Sequence, residues 1–243
     1  MTPKDAEAAL AQVPRPMSLK RFDALAVWGQ VQARWSVAPV RFGLRELDLM
    51  AGGMYPGDLV VIGGRTSMGK TAFCGSATLR WLAADLSTAY YTLETMVPGM
   101  FTRLIAAKAH VQLHKLRSGS LGPTDLQLAD QAAGWLHERP VSICDTADLG
   151  TKQAGRILER LMADPAQIVV IDHLQEVLTD ANAESRASAL GHFMASLKDV
   201  AMRTGKVIVG GATTGVVASG ISIPSRSAAA ASDPVASASR TTP

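Results

Sequence analysis

The sequence predicts an α/β fold in which a doubly wound, mostly parallel sheet carries helices on both faces. Short apolar runs alternate with helical segments between residue 58 and about residue 210, which is the pattern of parallel strands joined by crossover helices. Hydrophobic residues make up 47% of the chain, enough to bury a substantial core. A glycine-containing loop separates the first apolar run from the helix that follows it. Together these features predict an α/β domain with a ligand-binding loop.

The first 40 residues predict a helical leader. Thr2, Pro3 and Asp5 fit the start of a short helix, with threonine as the N-cap and proline in the first turn. Two prolines in the stretch VPRPMS then break the chain. An amphipathic helix follows, with apolar residues at three- or four-residue steps: Phe22, Leu25, Trp28, Val31 and Trp35. Its apolar stripe either packs on the main domain or is offered to a partner, and the sequence leaves both open.

Residues 41–211 predict the α/β domain. Five apolar runs predict its strands: DLVVIGG, TAYYTLE, VSICD, QIVVID and KVIVGG. Helices are predicted between them, in KTAFCGSATLRWLAADL, VPGMFTRLIAAKAHV, TDLQLADQAAGWLHERP, TKQAGRILERLMADP and ESRASALGHFMASLKDVAMRTG. Thr124 and Gln127 fit a capping box at the start of the third helix, and Gly205 ends the last one.

Residues 212–243 are of a different composition. They consist mostly of Ala, Ser, Thr, Gly and Pro, with one acidic residue and no aromatic residue. No helical or strand period runs through them, so the sequence predicts a low-complexity, disordered tail.

Composition also excludes several classes of protein. The longest apolar runs are too short to span a bilayer. Cys74 and Cys144 lie far apart without metal-ligand spacing, which is typical of reduced thiols in the cytosol. His110 and His114 are four residues apart, but Val111 stands where a zinc-protease motif needs glutamate. A net charge of +3 permits a nucleic-acid partner without indicating one.

The stretch GGRTSMGKTAF contains a complete G-x-x-x-x-G-K-[ST] motif between a predicted strand and a predicted helix. Backbone N–H groups of such a loop, with the helix N-terminus behind them, bind phosphate oxygens. The lysine reaches the β- and γ-phosphates, and the threonine hydroxyl holds Mg²⁺. The sequence therefore predicts binding of a nucleoside triphosphate, ATP with Mg²⁺, by these residues: Gly64, Arg65, Thr66, Ser67, Met68, Gly69, Lys70 and Thr71.

Two acidic residues follow predicted strands. Asp172 ends QIVVID, where it would face the ligand crevice and join the Mg²⁺ shell; the alternative is an ordinary aspartate that caps a turn. Glu94 ends TAYYTLE, where it could orient and deprotonate the attacking water. Glutamate is common at strand ends, so the residues alone leave its role open.

Several of these stretches resemble the C-terminal motor domain of the DnaB-type replicative helicases. The matching stretches are GGMYPGDLVVIGGRTSMGKTAF, YTLE, KLRSG, IVVIDHLQ and SLKDVA, in the same order as in the family. The resemblance covers about residues 40–210. The resemblance implies a RecA-like P-loop NTPase fold and a homo-hexameric ring around single-stranded DNA. It implies that the ring moves 5′ to 3′ on ATP hydrolysis, in the cytoplasm of a bacterial or phage-infected cell.

The resemblance also implies roles for single residues. Lys70 and Thr71 match the phosphate-loop residues, Glu94 matches the catalytic glutamate, and Asp172 matches the Mg²⁺-associated aspartate. Arg186 matches a basic position after the first DNA-facing loop. The helix at residues 22–35 resembles the linker helix that docks on the adjacent subunit.

The sequence departs from the family at both ends. The family's N-terminal helical domain has no counterpart before the leader, and Thr213 stands near the position of the glutamine that senses the γ-phosphate. The low-complexity tail stands where the family has the remainder of its motor domain, which includes the second DNA-facing loop and the arginine finger. We therefore expect an incomplete motor, truncated or frameshifted after about residue 210. The alternative is a non-hydrolysing ATP-binding module that docks into a helicase ring or loader as a regulator.

Overall fold

Five parallel strands form one sheet in the order β1-β5-β4-β2-β3. The structure, a computed structural model, describes residues 23–146, 154–178 and 183–213, with the backbone alone at residues 34, 178 and 183–187. The strands are β1 (Leu59–Gly63), β2 (Thr88–Thr92), β3 (Val141–Asp145), β4 (Ile168–Asp172) and β5 (Val207–Ala212). All five predicted strands are confirmed, and every pairing between them is parallel.

Helices precede, connect and cover the strands. They are α1 (Ala24–Trp35), α2 (Arg45–Ala51), α3 (Lys70–Ala83), α4 (Val97–Ala109), α5 (Leu113–Ser118), α6 (Pro123–His137), α7 (Ala154–Ala163) and α8 (Ala183–Thr204), with a 3₁₀ turn at Leu174–Leu178. The predicted start of the phosphate-loop helix at Lys70 is confirmed. No helix in the described ranges is both long and apolar enough to cross a membrane.

The sheet carries a hydrophobic cluster on each face, because alternate residues of a strand point to opposite sides. Along β4, Ile168 and Val170 belong to one cluster, and Val169 and Ile171 belong to the other. The first cluster includes buried residues of α3, α4 and α6, which are Cys74, Ala77, Trp81, Met100, Leu104, Ala129 and Leu136. The second includes residues of α7 and α8, which are Ile157, Leu161, Leu190, Phe193 and Leu197. Helices on both faces confirm the doubly wound architecture.

Two of the predicted element ends that differ from the structure have a visible cause. Strand β2 ends at Thr92 rather than at Glu94, because the Thr92 hydroxyl donates to the Thr95 carbonyl (2.8 Å) and closes a turn. Helix α6 has Gly122 as its N-cap, with no side-chain capping bond. The predicted capping box at Thr124 fails because Pro123 begins the helix one residue earlier.

Helices α2 and α5 were not predicted, since a helix of six or seven residues is too short to show a period. The Asp48 carboxylate holds α2 in place by accepting hydrogen bonds from the backbone N–H groups of Phe42 (2.7 Å) and Gly43 (2.9 Å). Asp48 is buried. Its two hydrogen bonds therefore stabilise a short helix that the sequence pattern does not predict.

The chain divides into two units, Met1–Pro39 and Val40–Pro243. In the first unit, α1 confirms the predicted helix from Ala24 to Trp35, while Phe22 lies outside the described residues. The Asp23 carboxylate caps the helix by accepting hydrogen bonds from the N–H groups of Leu25 and Ala26 (3.1 Å each). Both alternatives for the apolar stripe of α1, packing on the main domain and packing on a partner, stay predictions. The predicted helix near Thr2 lies outside the described residues, as does the predicted tail apart from residues 212 and 213.

Candidate nucleotide-binding site

The predicted phosphate loop, residues 64–69, connects β1 directly to α3. Gly69 is the N-cap of α3 with φ +86°, in the left-handed region that favours glycine, and no side chain caps this helix end. The Phe73 N–H donates to the Gly69 carbonyl (2.8 Å) as the first backbone bond of the helix. The N–H groups at the start of α3 therefore face the loop, where an anion can accept their hydrogen bonds.

The loop offers backbone rather than side-chain contacts. Arg65, Thr66, Ser67 and Met68 all have exposed side chains, and Ser67 also has a positive φ of 64°. Successive turns of this kind direct backbone N–H groups into a concave surface. The predicted binding role of these four residues is thus a role of their backbone.

Lys70 spans the loop. Its Nζ donates to the backbone carbonyls of Gly64 (2.9 Å) and Arg65 (3.1 Å). Both carbonyls belong to the first two residues of the motif, so the ammonium lies across the loop that the glycines enclose. A fixed positive charge at this position favours phosphate oxygens.

Asp172 lies at the carboxyl end of β4, on the face of the sheet that α3 covers. One oxygen, Oδ2, accepts a hydrogen bond from the Tyr90 hydroxyl (2.8 Å), and the residue is buried. Burial, followed by the negative charge of Asp172, raises the pKa of the Cys74 thiol to about 12. Cys74 lies about one turn after Thr71 in α3, so the carboxylate acts on the same end of the helix as the loop.

The donor set at this position fits a magnesium ion. Asp172 Oδ1 is buried, and no atom in the described part of the chain hydrogen-bonds it. Gly211 leaves space beside it, because a Cβ atom there would lie 3.3 Å from Oδ1. Thr71, a partly buried residue at the helix start, contributes a hydroxyl. Mg²⁺ is typically held by one or two carboxylates together with substrate phosphates, which matches a carboxylate and a hydroxyl beside a phosphate loop.

Glu94 follows β2, the neighbour of β4. Because Thr92 pairs with Asp172 and the Leu93 N–H donates to the Asp172 carbonyl (2.8 Å), the structure brings the two strand ends together. The Glu94 side chain is 62% exposed, and its Oε2 lies 3.3 Å from His173 Nδ1. The two acidic residues therefore occupy the same edge of the sheet, one buried and one open to solvent.

A cavity of about 280 Å³ lies between α3 and α4, next to the loop. Its wall includes Thr71 and Ser76 of α3 and Arg103 of α4. The Arg103 Nε is buried, and no described residue accepts a hydrogen bond from it. The Tyr90–Asp172 bond, the His173 contact and this cavity were all missed from the sequence. A tyrosine in a buried strand and a histidine directly after the key aspartate were the available signals for the first two.

Two further predicted positions are only partly described. Arg186 lies within α8, but its side chain is outside the described atoms. Thr213 directly follows β5, and its carbonyl accepts a hydrogen bond from Gln175 Nε2 (3.3 Å). Gln175 belongs to the 3₁₀ turn after β4, so the segment after β5 is tied to the strand that carries Asp172.

A phosphate loop after the first strand, an acidic residue ending β4 and this strand order together define a P-loop nucleotide-binding protein of the RecA-like fold. Residues 39–210 match the profile of the DnaB-like helicase C terminal domain, which is well over half of the chain. The chain belongs to this family.

Curated relatives and solved structures agree with this family. The chain is 34% identical over 163 residues to the replicative DNA helicase DnaB of a Nostoc species and 32% identical over 161 residues to that of Treponema pallidum. Each match covers 65% of this chain, but the chain spans 18% of the first relative and 37% of the second.

Two solved structures share the fold. A DnaB-like replicative helicase, studied with its interactions with primase, has a TM-score of 0.71 at 22% identity, over 86% of this chain and 53% of that one. The second structure is an ATPase domain with a TM-score of 0.65 at 21% identity, over 78% of this chain and 69% of that one. At these identities the likeness shows the fold alone.

Proposed function

We propose that the chain is the ATPase core of a DnaB-type replicative DNA helicase, which couples ATP hydrolysis to 5′–3′ unwinding. Two observations together carry the proposal: the Lys70 ammonium lies in the loop, and Asp172, at the end of β4, has a buried carboxylate oxygen without a hydrogen-bond partner among the described residues. Family membership and the names of the curated relatives supply the helicase part.

Each site residue has one task in this proposal. The backbone of residues 64–69 and the Lys70 ammonium bind the β- and γ-phosphates of ATP. Thr71 and Asp172 are the residues that would hold Mg²⁺, which neutralises negative charge on the phosphoryl oxygens when bound. Glu94 accepts a proton from the attacking water, for which its exposed carboxylate is accessible.

The family also supports a proposal about partners. We propose single-stranded DNA as the track, in the cytoplasm of a bacterial or phage-infected cell, with the chain in a homo-hexameric ring or docked on another helicase subunit. Docked on a different helicase subunit, the site would lie beside a neighbour that supplies the arginine finger and the γ-phosphate sensor, the groups for which Thr213 and residues 214–243 offer no match. An arginine finger contributes roughly 10³ to 10⁵ in rate in other NTPases.

ATP binding and hydrolysis by the purified chain, with and without single-stranded DNA, test the proposal. Lys70→Ala should abolish both, because it removes the charge in the loop. Lys115→Ala is the matched control, since Lys115 instead pairs with Asp125 (2.9 Å) on α6. DNA-stimulated hydrolysis that Lys70→Ala removes supports the proposal. Lys70-dependent binding without hydrolysis, even with a helicase ring added, would favour the regulatory module, and no binding would refute both.

A further inference from the structure

His173 lies at the edge of the sheet where the two acidic residues of the candidate site meet. It directly follows Asp172, and its Nδ1 lies 3.3 Å from Glu94 Oε2. Within the described ranges, no other side chain makes a polar contact with the Glu94 carboxylate. A hydrogen bond of this length is weak, and catalytic contacts of this kind often shorten when substrate binds. The contact links the exposed acid to the strand that carries the buried one.

The backbone around Glu94 is fixed, but its side chain is open to solvent. Leu93 is buried and its N–H donates to the Asp172 carbonyl (2.8 Å), and the Thr95 N–H donates to the Thr92 hydroxyl (3.3 Å). The Glu94 side chain is 62% exposed, so its carboxylate samples several rotamers unless a partner holds it. A general base has to lie within hydrogen-bond reach of the proton that it abstracts.

The His173 ring is held more firmly than the carboxylate beside it. Its side chain is only 18% exposed. Its carbonyl accepts the Glu176 N–H (3.2 Å), and the next residue, Leu174, is fully buried. Gly211 approaches from β5, since a Cβ atom there would lie 3.5 Å from His173 Cβ. The other ring nitrogen, Nε2, lies 3.9 Å from Glu176 Oε1, so a carboxylate faces each ring nitrogen.

We propose that His173 is a positioning residue, whose Nδ1–H holds the Glu94 carboxylate in the orientation in which it accepts a proton from the attacking water. The inference rests on the proposed function, which makes Glu94 the general base. A carboxylate has only acceptor sites, so the imidazole supplies the hydrogen. A neutral imidazole carries one N–H, and the shorter of the two contacts assigns it to Nδ1. Because the contact uses Oε2, the second oxygen of Glu94 remains for the water.

Two substitutions at position 173 separate the N–H group from the ring. His173→Phe keeps a ring of similar size and removes both nitrogens. His173→Asn removes the ring and keeps an N–H donor attached to Cγ, as Nδ1 is. His114→Phe is the matched control, because His114 is exposed on α5. Circular dichroism and urea unfolding establish that each variant is folded.

NMR of the histidine rings tests the contact without ATP hydrolysis. At about pH 8, above the ordinary histidine pKa, a long-range ¹H–¹⁵N spectrum shows which ring nitrogen carries the hydrogen. We expect the His173 signals, identified by their absence in His173→Asn, to show hydrogen on Nδ1. Glu94→Ala should move it to Nε2, because Glu176 Oε1 then remains as the acceptor near the ring. Hydrogen on Nε2 alone in the unsubstituted chain, or a spectrum that Glu94→Ala leaves unchanged, overturns the proposal.

ATP hydrolysis tests whether the contact serves the reaction. We expect His173→Phe to lower kcat about 10- to 100-fold with little change in KM, because a misplaced base slows the reaction without weakening substrate binding. His173→Asn should recover most of this loss, and His114→Phe should not change kcat. In a Glu94→Gln background, His173→Phe should cause no further loss, since the base that it positions is already absent. A loss that persists in that background, or that His173→Asn does not relieve, refutes the positioning role.

The two measurements separate this inference from the proposed function. If the Nδ1 hydrogen depends on Glu94 but the chain hydrolyses no ATP, even with a helicase ring added, the proposed function fails and the contact is supported. If the chain hydrolyses ATP and His173→Phe leaves kcat unchanged, the proposed function stands and the inference is refuted.

Discussion

Removing the Tyr90 hydroxyl tests how the structure holds its key aspartate. The hydroxyl donates to Asp172 Oδ2 at 2.8 Å, and both residues are buried. A hydrogen bond to a charged group contributes about 1.5 to 3 kcal/mol, and a buried acceptor left without its donor adds a desolvation cost. Because Oδ1 already has no partner among the described residues, Tyr90→Phe would leave neither oxygen with one. We expect Tyr90→Phe to lower the free energy of unfolding by about 2 to 3 kcal/mol at pH 7.

The adjacent tyrosine provides the matched control. Tyr91 lies on the opposite face of β2 and donates to Asp164 Oδ2 at 2.6 Å, but Asp164 is only partly buried. Tyr91→Phe removes the same atom from the same strand, and water can replace the lost donor. We expect a cost of about 1 kcal/mol.

Urea unfolding of both variants, alone and combined with Asp172→Asn, completes the measurement. Neutralising Asp172 turns a charge-assisted bond into an ordinary one, so Tyr90→Phe should then cost about 1 kcal/mol less. A cost below about 0.5 kcal/mol for Tyr90→Phe, or the same cost with and without Asp172→Asn, would refute the reasoning.

Two other perturbations follow from burial and packing. Burial and the Asp172 charge raise the pKa of Cys74 from about 9 to about 12 and that of Tyr90 above its usual 10. The unfolded chain therefore loses these protons first. The contribution of the two groups to stability should be constant below about pH 9 and should fall by about 1.4 kcal/mol per pH unit for each group, from about pH 9 for Cys74 and from about pH 10 for Tyr90. Urea unfolding between pH 8 and 11 measures this, and Cys74→Ala should lessen the slope that begins near pH 9. Gly210→Ala should lower the free energy of unfolding by about 1 to 3 kcal/mol, because its Cβ atom would lie 2.7 Å from the buried Leu174 side chain. Gly134→Ala, in α6, should instead raise the free energy of unfolding by about 0.5 to 1 kcal/mol, because nothing lies within 4 Å of its Cβ position. Thermal unfolding of the two alanine variants compares them, and equal shifts would contradict the packing argument.

The strands and long helices could be predicted because their signals are local. A buried parallel strand is a short apolar run, and a helix beginning at Lys70 follows from the loop motif next to it. The errors are local as well. The sequence cannot tell that the Thr92 hydroxyl closes a turn before Glu94, or that Pro123 begins α6 ahead of Thr124, because each depends on which competing hydrogen bond forms.

The candidate site also has a part that the sequence predicts and a part that it does not. Its phosphate loop is continuous in sequence, so the spacing of Gly64, Gly69 and Lys70 is sufficient to predict it. Its other members come from separate strands and helices. Asp172 was predicted from its place at a strand end, but its bond to Tyr90 joins residues 82 positions apart.

The amino-acid sequence was enough to predict the α/β class, the five strands and the phosphate-loop motif, since these depend on composition, periodicity and one contiguous motif. The family was predicted from the resemblance of several separate stretches. The order β1-β5-β4-β2-β3 was not accessible from the sequence. That order sets which strand ends meet, and so brings Glu94 beside His173. The close packing of α3 against α4, which leaves Arg103 lining a cavity next to Thr71, likewise arises when distant segments compete to bury the same surface.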